Sequence, residues 1–502
     1  MAQERFKTRG GFILASVGAA VGLGNALRFP GLCAKYGGGS FLFIYFFALL
    51  VMGVPILNAE IALGRKVRGG APRCMATLNK RAEPIGWASC FNSLIVSIIY
   101  AGLLGWIIAM VIKIVPLQTG GDTQRAETYF FSEVLTGKAL LVFFCGLAGW
   151  AVMYAFLRGG AKSLAKTARF TVIIPIILLT FMAARGLLYE NSGKALAALF
   201  VPDFSAFLNA ELWLNALGQV FFSLSILVGI MPAYGAYLPE GTNIFRDSLI
   251  VAAADFFVSV LSSVVLFTTL YGCGMQGEIT RSGIACAFEV YPVAITKFCK
   301  SRAVCAVVGV LFYLSLAMMA AQSAVSMAEA AINPLSEKLG VKKKKIAGIV
   351  AIIGAAVGII FSTPLAQTAL DLSDHFANYF NILILGIAET ILLGGNAKRV
   401  GLAAEINRYT RRAKMPAKLL HLSLKVICPT VLIGLTAWGA YRFVCVEHLS
   451  YGSYPVWAQL AFGWTVSLIV FSSGFVIKFL SRRKTRRATT TYSGAAFTKP
   501  QD

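Results

Sequence analysis

The chain has 502 residues, of which 57% are hydrophobic and 14% are charged. A soluble globular protein carries about 25% charged residues, so this composition excludes an ordinary soluble protein. The net charge of +24 would suggest nucleic acid in a soluble chain, but the sequence has no basic face with base-stacking or groove-reading elements. In a membrane protein, the positions of those charges are more informative than their sum.

Twelve apolar stretches follow one another along the chain, and a helix that crosses a bilayer needs about 20 mostly apolar residues. The stretches are 11–35, 39–64, 85–114, 136–157, 164–189, 211–238, 246–275, 302–335, 345–362, 372–394, 417–444 and 454–479. No polar segment between them is long enough to fold as a soluble domain. We therefore expect one all-α membrane domain over 11–480, a short segment over 1–10 before it, and a basic tail over 481–502.

The basic residues are distributed unevenly between the two sides of these spans. If the amino terminus is cytoplasmic, the inside segments hold roughly 33 Lys and Arg residues and the outside segments roughly 12. This asymmetry predicts a multi-pass protein of the cell membrane with both termini in the cytoplasm, whose basic loops mark topology and attract anionic lipid. Short loops and the absence of Asn-x-Ser/Thr sites are compatible with a bacterial inner membrane.

The first and sixth spans carry small residues at their midpoints, where a stable helix would prefer Leu. The first contains Gly18, Gly22 and Gly24, and the sixth runs from Gln219 through several serines to Gly229. Close helix packing through small residues is one interpretation. The other is an unwound helix that lines a buried site. A separation of five spans favours the second, as a 5+5 inverted repeat over 11–189 and 211–394, with two extra helices over 417–479.

The run Gly18-x-Ala20-Val21-Gly22-Leu23-Gly24-Asn25-x-x-Arg28-Phe29-Pro30 resembles the first-span signature of the neurotransmitter:sodium symporters, whose bacterial members have the leucine-transporter fold. The likeness continues at Gly37–Gly39, Gly53–Pro55, Tyr100–Trp106, Gln219–Ser225, Gly386–Glu389 and Glu405–Arg408. The resemblance implies a sodium-coupled symporter that works by alternating access. No nucleophile–base constellation, metal motif or nucleotide loop suggests an enzyme.

The resemblance also implies two sodium sites, and sodium is a hard cation that prefers oxygen ligands. The residues that match the first site are Ala20, Asn25, Ser223 and Asp255. The residues that match the second are Gly18, Val21, Met319, Gln322 and Ser323. Gln322 is a departure, because relatives usually have Thr or Asp there.

Gly22 stands where amine-transporting relatives carry Asp, so the resemblance implies a substrate that brings its own carboxylate, an α-amino acid. The residues that match the substrate site are Ala20, Gly22, Leu23, Val96, Tyr100, Phe222, Ser223, Ser225, Val228, Ser323 and Met327. The lining is apolar, which favours a neutral, hydrophobic side chain. Leu227 would narrow the pocket and Val228 would widen it. A non-α amino acid or an osmolyte is an alternative substrate, and a sensor that does not transport is an alternative function.

Gate residues are implied by the same resemblance. Arg28 and Asp374 match an outer ion pair, and Phe222 matches an aromatic lid beneath it. At the inner gate, Arg5 or Arg9 would pair with Glu337. Glu60 and Glu389 would brace the unwound helices by accepting backbone N–H bonds.

The need for chloride is open at this point, as is the choice between a monomer and a homodimer. The residues that match the chloride site of chloride-dependent relatives are Tyr45, Gln219, Ser223 and Ser259. Asp255, one helical turn before Ser259 on the same face, supplies a fixed negative charge that would make chloride unnecessary.

Overall fold

A computed structural model describes residues 5–114, 126, 129–275, 286–296, 301–410, 414–446, 451–452 and 454–494. Every long regular element in these residues is a helix. In chain order the helices are α1 (Arg9–Ala20), α2 (Gly24–Lys35), α3 (Gly39–Val67), α4 (Ala71–Leu78), α5 (Lys80–Lys113), α6 (Tyr129–Thr136), α7 (Ala139–Leu157), α8 (Gly160–Gly186), α9 (Ser192–Phe200), α10 (Ala210–Ser223), α11 (Ile230–Ala236), α12 (Ile244–Cys273), α13 (Ala287–Thr296), α14 (Arg302–Leu339), α15 (Lys343–Ser362), α16 (Ala366–Asn396), α17 (Leu402–Asn407), α18 (Ala417–Val446) and α19 (Val456–Phe479).

Ten of the described helices are long and apolar enough to cross a membrane, and α1 with α2 forms an eleventh, bent span. This confirms the predicted all-α membrane architecture. The sixth predicted span is divided between α10 and α11, each too short to cross a bilayer alone. The total of twelve crossings and the inverted repeat therefore stay predictions. The last helix continues as backbone to Gly494, and the rest of the predicted tail lies outside the described residues.

Both predicted breaks are present. α1 and α2 meet at an angle of 48° across residues 21–23. Residues 224–229 separate α10 from α11 without helical structure. Because backbone may leave the helix at membrane depth only where it is buried in protein or lines a cavity, the two breaks are where a buried site is expected.

Polarity is arranged as expected for a protein in lipid. Large apolar side chains such as Leu140, Phe170 and Ile352 are exposed on the outside of the bundle. Asn25, Asp255 and other polar residues are fully buried at its centre. Ionisable groups inside a membrane protein are costly and face the bundle interior, where partners can stabilise them.

Helices α3 and α11 pack backbone against backbone. An ideal Cβ on Gly64 would lie 2.1 Å from the Pro232 carbonyl oxygen, and one on Gly235 would lie 2.3 Å from the Ile61 carbonyl oxygen. Only glycine permits this approach. We call the end of the bundle that holds Phe6 the inner end, and the end that holds Arg28 and Asp374 the outer end, following the predicted orientation.

Candidate substrate and sodium site

The break between α1 and α2 leaves backbone oxygens outside the helical pattern. The Val21 N–H donates to the Val17 carbonyl at 2.6 Å. The Gly22 N–H donates instead to Asn25 Oδ1 at 3.0 Å, which takes it away from the Gly18 carbonyl. The last carbonyls of a helix lack intrahelical donors and carry partial negative charge. Oxygens at this break can therefore bind a cation.

The break between α10 and α11 holds two residues in the left-handed region, Ser225 at φ 53° and Leu227 at φ 64°. Each costs about 1 kcal/mol or more, and such strain persists only where surrounding contacts fix it. Ser225 Oγ donates to the Ala19 carbonyl at 2.8 Å, which links the two breaks directly. The Leu227 N–H donates to Glu60 Oε1 at 3.2 Å, as predicted for Glu60. Neither carboxylate oxygen of Glu389 has a hydrogen-bond partner among the described residues.

Asp255 lies fully buried at the centre of a polar cluster beside the breaks. Its carboxylate accepts from Asn25 Nδ2 at 2.7 Å and from the Tyr45 hydroxyl at 2.9 Å. Ser223 Oγ lies 2.7 and 2.8 Å from its two oxygens. The structure thus brings together three residues predicted for the first sodium site, Asn25, Ser223 and Asp255. Ala20, the fourth, ends α1 directly before the first break.

The residues that match a chloride site surround the same carboxylate. Tyr45 and Ser223 both contact Asp255, and Ser259 Oγ accepts from Asn25 Nδ2 at 2.9 Å. Gln219 Nε2 donates instead to the Gly24 carbonyl oxygen at 3.5 Å. Two of the three hydroxyls that would bind an anion here, those of Tyr45 and Ser223, are already bonded to the Asp255 carboxylate.

The second predicted sodium site brings α14 against the first break. An ideal Cβ on Gly18 would lie 3.0 Å from Gln322 Cγ, and one on Gly22 would lie 2.1 Å from Ser323 Oγ. Val21 and Met319, whose carbonyls complete the predicted set, are buried. These five residues therefore come from two elements that are in direct contact.

The Gln322 amide is buried beside two threonine hydroxyls. Gln322 Oε1 accepts from Thr167 Oγ1 at 3.3 Å and from Thr171 Oγ1 at 3.2 Å. Gln322 Nε2 has no hydrogen-bond partner among the described residues. An amide oxygen is a ligand that a hard cation accepts, so Gln322 has the ligand type that the second site requires.

A small pocket lies beneath the side chain of Phe222. Its volume is 10 Å³, which is room for about one water molecule. A substrate side chain can enter only if a wall residue moves. The lining residues are Ser93, Val96, Phe221, Phe222, Ser225, Val228, Met327, Asn378 and Ile382.

Most of the residues predicted to hold the substrate side chain do line this pocket, namely Val96, Phe222, Val228 and Met327. Ser323 is buried but contacts Gly22 instead. Leu227 lies against Gly386, where an ideal Cβ would be 2.8 Å from Leu227 Cδ1, and is not among the lining residues. Its predicted effect on pocket width is therefore wrong.

Four lining residues were missed from the sequence: Ser93, Phe221, Asn378 and Ile382. Helical spacing from a predicted residue could have identified two of them. Ser93 lies three residues before Val96, and Asn378 lies four residues after Asp374, so each shares a helix face with a predicted residue.

A larger vestibule of 290 Å³ lies above Phe222, towards the outer end. Its lining includes Leu23, Gly24, Arg28, Tyr100, Phe222, Asp374, His375 and Tyr379. Phe222 lines both cavities, so its ring separates them. The ring lies directly on the first break, because an ideal Cβ on Gly24 would be 2.6 Å from Phe222 Cε1.

The predicted outer ion pair is not formed among the described residues. Arg28 stacks between two rings, with its guanidinium carbon 4.4 Å from the centroids of Phe222 and Tyr379. Asp374 Oδ1 accepts instead from Asn378 Nδ2 at 2.7 Å. Buried Arg28 Nη1 has no hydrogen-bond partner among the described residues. Both charged side chains line the same vestibule, but they do not contact each other.

At the inner end, the expectation that Arg5 or Arg9 pairs with Glu337 is wrong. Arg5 Nη1 contacts Glu240 Oε1 at 3.1 Å, and Arg9 Nε donates to Asp247 Oδ1 at 2.9 Å. The chain before α1 runs along the end of α11, since the Phe6 N–H donates to the Tyr237 carbonyl at 3.0 Å. This path carries Arg5 and Arg9 to carboxylates after α11 and on α12.

Comparisons with known proteins agree with this geometry. A family model described as the sodium:neurotransmitter symporter family matches residues 3–119 and 135–485. An uncharacterized sodium-dependent transporter of Methanocaldococcus jannaschii is 30% identical over 419 residues, which cover 80% of this chain and 84% of that protein. The sodium-dependent neutral amino acid transporter B(0)AT3 of Mus musculus is 30% identical over 286 residues, which cover 52% of this chain and 46% of that protein.

Among solved structures, the crystal structure of MhsT in complex with L-phenylalanine has the same fold. It superimposes with a TM-score of 0.77 at 23% sequence identity, over 87% of this chain and 99% of that chain. The fold, the two broken spans and the near full-length family match lead to one conclusion. The chain is a multi-pass membrane protein that belongs to the sodium:neurotransmitter symporter family.

Proposed function

We propose that this protein is a sodium-coupled symporter that imports a neutral, hydrophobic α-amino acid by alternating access. One observation carries the proposal: a pocket roofed by Phe222 lies next to the buried polar cluster around Asp255, between two helix breaks. The pocket beneath Phe222 fits a hydrophobic side chain. The polar cluster around Asp255 and the free backbone groups of the two breaks fit a carboxylate, an ammonium and a small cation.

The space at Gly22 supports an α-amino acid over an amine. A side chain at this position would meet Ser323 Oγ at 2.1 Å, so the aspartate of amine carriers has no room here. The carboxylate that amine carriers supply from the protein then has to be supplied by the substrate. We place it near Tyr100, Gly22 and Leu23, with the ammonium near carbonyls of Ala20, Phe222 and Ser225.

Sodium is the coupling ion in this proposal, and two sites are assigned. Asn25, Ser223, Asp255 and the Ala20 carbonyl would hold the first, next to the substrate carboxylate. Carbonyls of Gly18, Val21 and Met319, with Gln322 Oε1 and Ser323, would hold the second. The close contacts of Gln322 with Gly18 and of Ser323 with Gly22 support the second site, because they bring oxygen-bearing side chains next to the first break and oxygen is the ligand that a hard cation prefers.

We propose that chloride is not required. The Tyr45 hydroxyl and Ser223 Oγ would be the donors to a chloride ion, and both already contact the Asp255 carboxylate. A second anion beside that charge would be repelled in a low-dielectric interior. Asp255 thus takes the electrostatic place of chloride.

The names of two relatives support the substrate class. B(0)AT3 is named as a neutral amino acid transporter, and MhsT was crystallised with L-phenylalanine. The open outer vestibule and the separated Arg28 and Asp374 side chains fit a state that faces outward. Closing would bring this pair together above a bound substrate.

The test is uptake of labelled amino acids into proteoliposomes with and without an inward sodium gradient. We expect accumulation of one or more hydrophobic amino acids that requires sodium and is equal in chloride and gluconate buffers. Competition by a panel of unlabelled compounds identifies the substrate, and stronger competition by betaine or taurine would replace the amino-acid assignment with an osmolyte. Sodium-dependent binding without uptake or counterflow would instead indicate a sensor. Uptake that is independent of sodium for every amino acid would overturn the proposal.

A further inference from the structure

The inner ends of α16 and α18 touch through their backbones. An ideal Cβ on Gly394 would lie 2.5 Å from the Leu424 carbonyl oxygen and 2.8 Å from Lys425 Cα. Nearer the outer end, an ideal Cβ on Gly386 would lie 3.3 Å from Leu432 Cδ1. The contact therefore moves forward along α18 as it moves back along α16, which shows that the two helices are antiparallel.

Basic side chains and an open surface lie along one side of this contact. Gly395 and Lys398 follow Gly394 closely on α16, and in an antiparallel pair they lie on the same side as His421 and Lys425 of α18. Gly395 is exposed, and an ideal Cβ there would meet no atom within 4 Å. We call this surface the α16–α18 groove, and its residues are Ile391, Gly395, Lys398, Lys418, His421 and Lys425.

The lysines of the groove have no acidic partner in the described part of the chain. Glu405 is the one acidic residue in the sequence over 390–446, and Arg65 Nε binds it at 2.6 Å. Among the described residues, no carboxylate contacts any of the three groove lysines, and all three side chains are exposed. Their counter-charge has to come from outside the protein.

Lys425 lies deeper along its helix than a signal of topology requires. It follows Lys418 by about 10 Å along the axis of α18, and one leaflet of the hydrocarbon core is about 15 Å thick. An ammonium at this depth is costly unless its stem reaches the interface or an anion approaches it. The positive-inside rule accounts for basic loops, but not for an exposed lysine inside a span.

The groove offers hydrogen-bond donors beside an apolar surface. His421 Nδ1 lies 2.5 Å from the Ala417 carbonyl oxygen, which only accepts, so Nδ1 carries a proton. Its Nε2 is buried without a hydrogen-bond partner among the described residues. Towards the middle of the bilayer, the side chains of Ile391 and Val426 are about half exposed. A soluble anion would use only the donors, whereas a phospholipid would use the donors and the apolar surface.

We propose that the α16–α18 groove binds one anionic phospholipid. Its phosphate would lie at Lys398, His421 and Lys425, and an acyl chain would follow Ile391 and Val426. Basic pockets between membrane helices recognise anionic headgroups in this way. The bound lipid supplies the counter-charge that Lys425 lacks and links the inner ends of α16 and α18. This inference does not depend on the proposed transport.

The test is binding of phosphatidylglycerol to the purified full-length protein in detergent. Native mass spectrometry resolves the protein with one lipid bound, and a titration gives its dissociation constant. We expect one tight site for phosphatidylglycerol and at least about tenfold weaker binding of phosphatidylcholine, whose headgroup has no net charge. Lys425→Met should weaken phosphatidylglycerol binding about fivefold, and Lys398→Met with Lys425→Met about 25-fold.

Matched variants separate the groove from the overall positive charge. Lys345→Met removes the same charge from an exposed lysine on α15, and its affinity should match wild type. Lys425→Arg keeps the charge and should bind within about twofold of wild type. Methionine suits a surface that faces lipid, so Lys425→Met should fold, and its unfolding temperature without added lipid checks this.

Equal affinity for phosphatidylglycerol and phosphatidylcholine would overturn the proposal. So would an equal loss of affinity in Lys345→Met, because it would indicate attraction to charge alone. Glycerophosphoglycerol has the headgroup without acyl chains and should not displace the lipid. Displacement by this compound, or by an acidic peptide, at a concentration equal to that of the lipid would assign the groove to a soluble partner instead.

Discussion

Asp255 has an unusual set of partners for a buried carboxylate. Asn25, Ser223 and Tyr45 all donate hydrogen bonds to it, but none of them carries a positive charge. Hydrogen bonds satisfy the oxygens without cancelling the charge, which remains costly inside a membrane. A monovalent cation beside Asp255 would cancel it. At the scale of one residue, this is the strongest reason to place sodium here.

Replacing Asp255 tests both its sodium role and its chloride role. We expect Asp255→Asn to raise the sodium concentration for half-maximal uptake about tenfold or more, since 1.4 kcal/mol of lost attraction is already tenfold. We also expect the remaining uptake to need chloride, whereas wild-type uptake should be equal in chloride and gluconate. Sodium titrations of proteoliposome uptake in both anions provide the measurement.

The matched control for that variant is Asp203→Asn, which makes the same chemical change at an exposed residue between α9 and α10. Its sodium titration should match wild type. A chloride requirement in the wild-type protein, or an unchanged sodium requirement in Asp255→Asn, would contradict the role assigned to Asp255.

Gly22 gives a steric prediction. We expect Gly22→Ala to lower uptake at least about tenfold, because its Cβ would meet Ser323 Oγ at 2.1 Å and must displace a proposed ligand of the second sodium site. Gly218→Ala is the control, since an ideal Cβ there meets no atom within 4 Å. It should transport within about twofold of wild type. Equal uptake by the two variants would mean that the Gly22 contact is not required for transport.

Individual site residues could be predicted from the sequence where they lie within a run that resembles the family. Asn25 and Gly22 lie within the first-span motif, and Phe222 lies within the sixth-span run Gln219–Ser225. The α16–α18 groove could not be predicted, because it depends on the path of the chain between the two helices. The position of Arg5 was predicted wrongly for a similar reason: a backbone bond from Phe6 to Tyr237 sets the path of the first residues.

At the scale of the helices, the two breaks could be predicted from the sequence. Small residues at the midpoint of each span indicated them, because a helix without large side chains there loses little packing when it unwinds. Exact ends were less predictable. α10 ends at Ser223 because Ser225 and Leu227 take left-handed conformations, which depend on bonds to Ala19 and Glu60 from distant parts of the chain.

Phe222 is the second-last residue of α10 and the proposed lid, and its removal is an element-scale test. We expect Phe222→Ala to join the pocket to the vestibule and to speed substrate release about tenfold. A buried aromatic ring stabilises the structure around it by several kcal/mol. The variant loses part of this stabilisation in the substrate-bound state, so the substrate leaves faster. Washout of labelled substrate from purified protein measures the release rate.

Phe222→Tyr keeps the ring and serves as the control for the lid. It should release substrate at a rate close to wild type. If Phe222→Ala releases substrate as slowly as wild type, the ring does not close the pocket and another residue must be the lid.

At the scale of the whole molecule, the all-α membrane architecture was predictable because apolar stretches of bilayer length dominate the composition. The predicted ranges follow the observed helices closely: 246–275 corresponds to α12 and 417–444 to α18. The contact between α3 and α11 was not predictable, because a glycine in the sequence does not reveal which backbone approaches it.

The proposed coupling between sodium and substrate would be a property of the whole protein, and thermal stability can measure it. A ligand at 100 times its dissociation constant stabilises the folded state by about 2.7 kcal/mol. We expect sodium and substrate together to raise the unfolding temperature in detergent by more than the sum of their separate effects, because each increases the affinity for the other. Choline in place of sodium is the control. Strictly additive shifts would contradict a shared site.

The close contact between α3 and α11 has a mechanical consequence. Since Gly64 and Gly235 leave no space between the two backbones, α11 cannot move towards α3 without displacing it. α3 begins at Gly39, at the outer end, and it also holds the second break through Glu60. We therefore expect movement at one end of the protein to be transmitted to the other, so that a single exchange rate describes the opening of one side and the closing of the other.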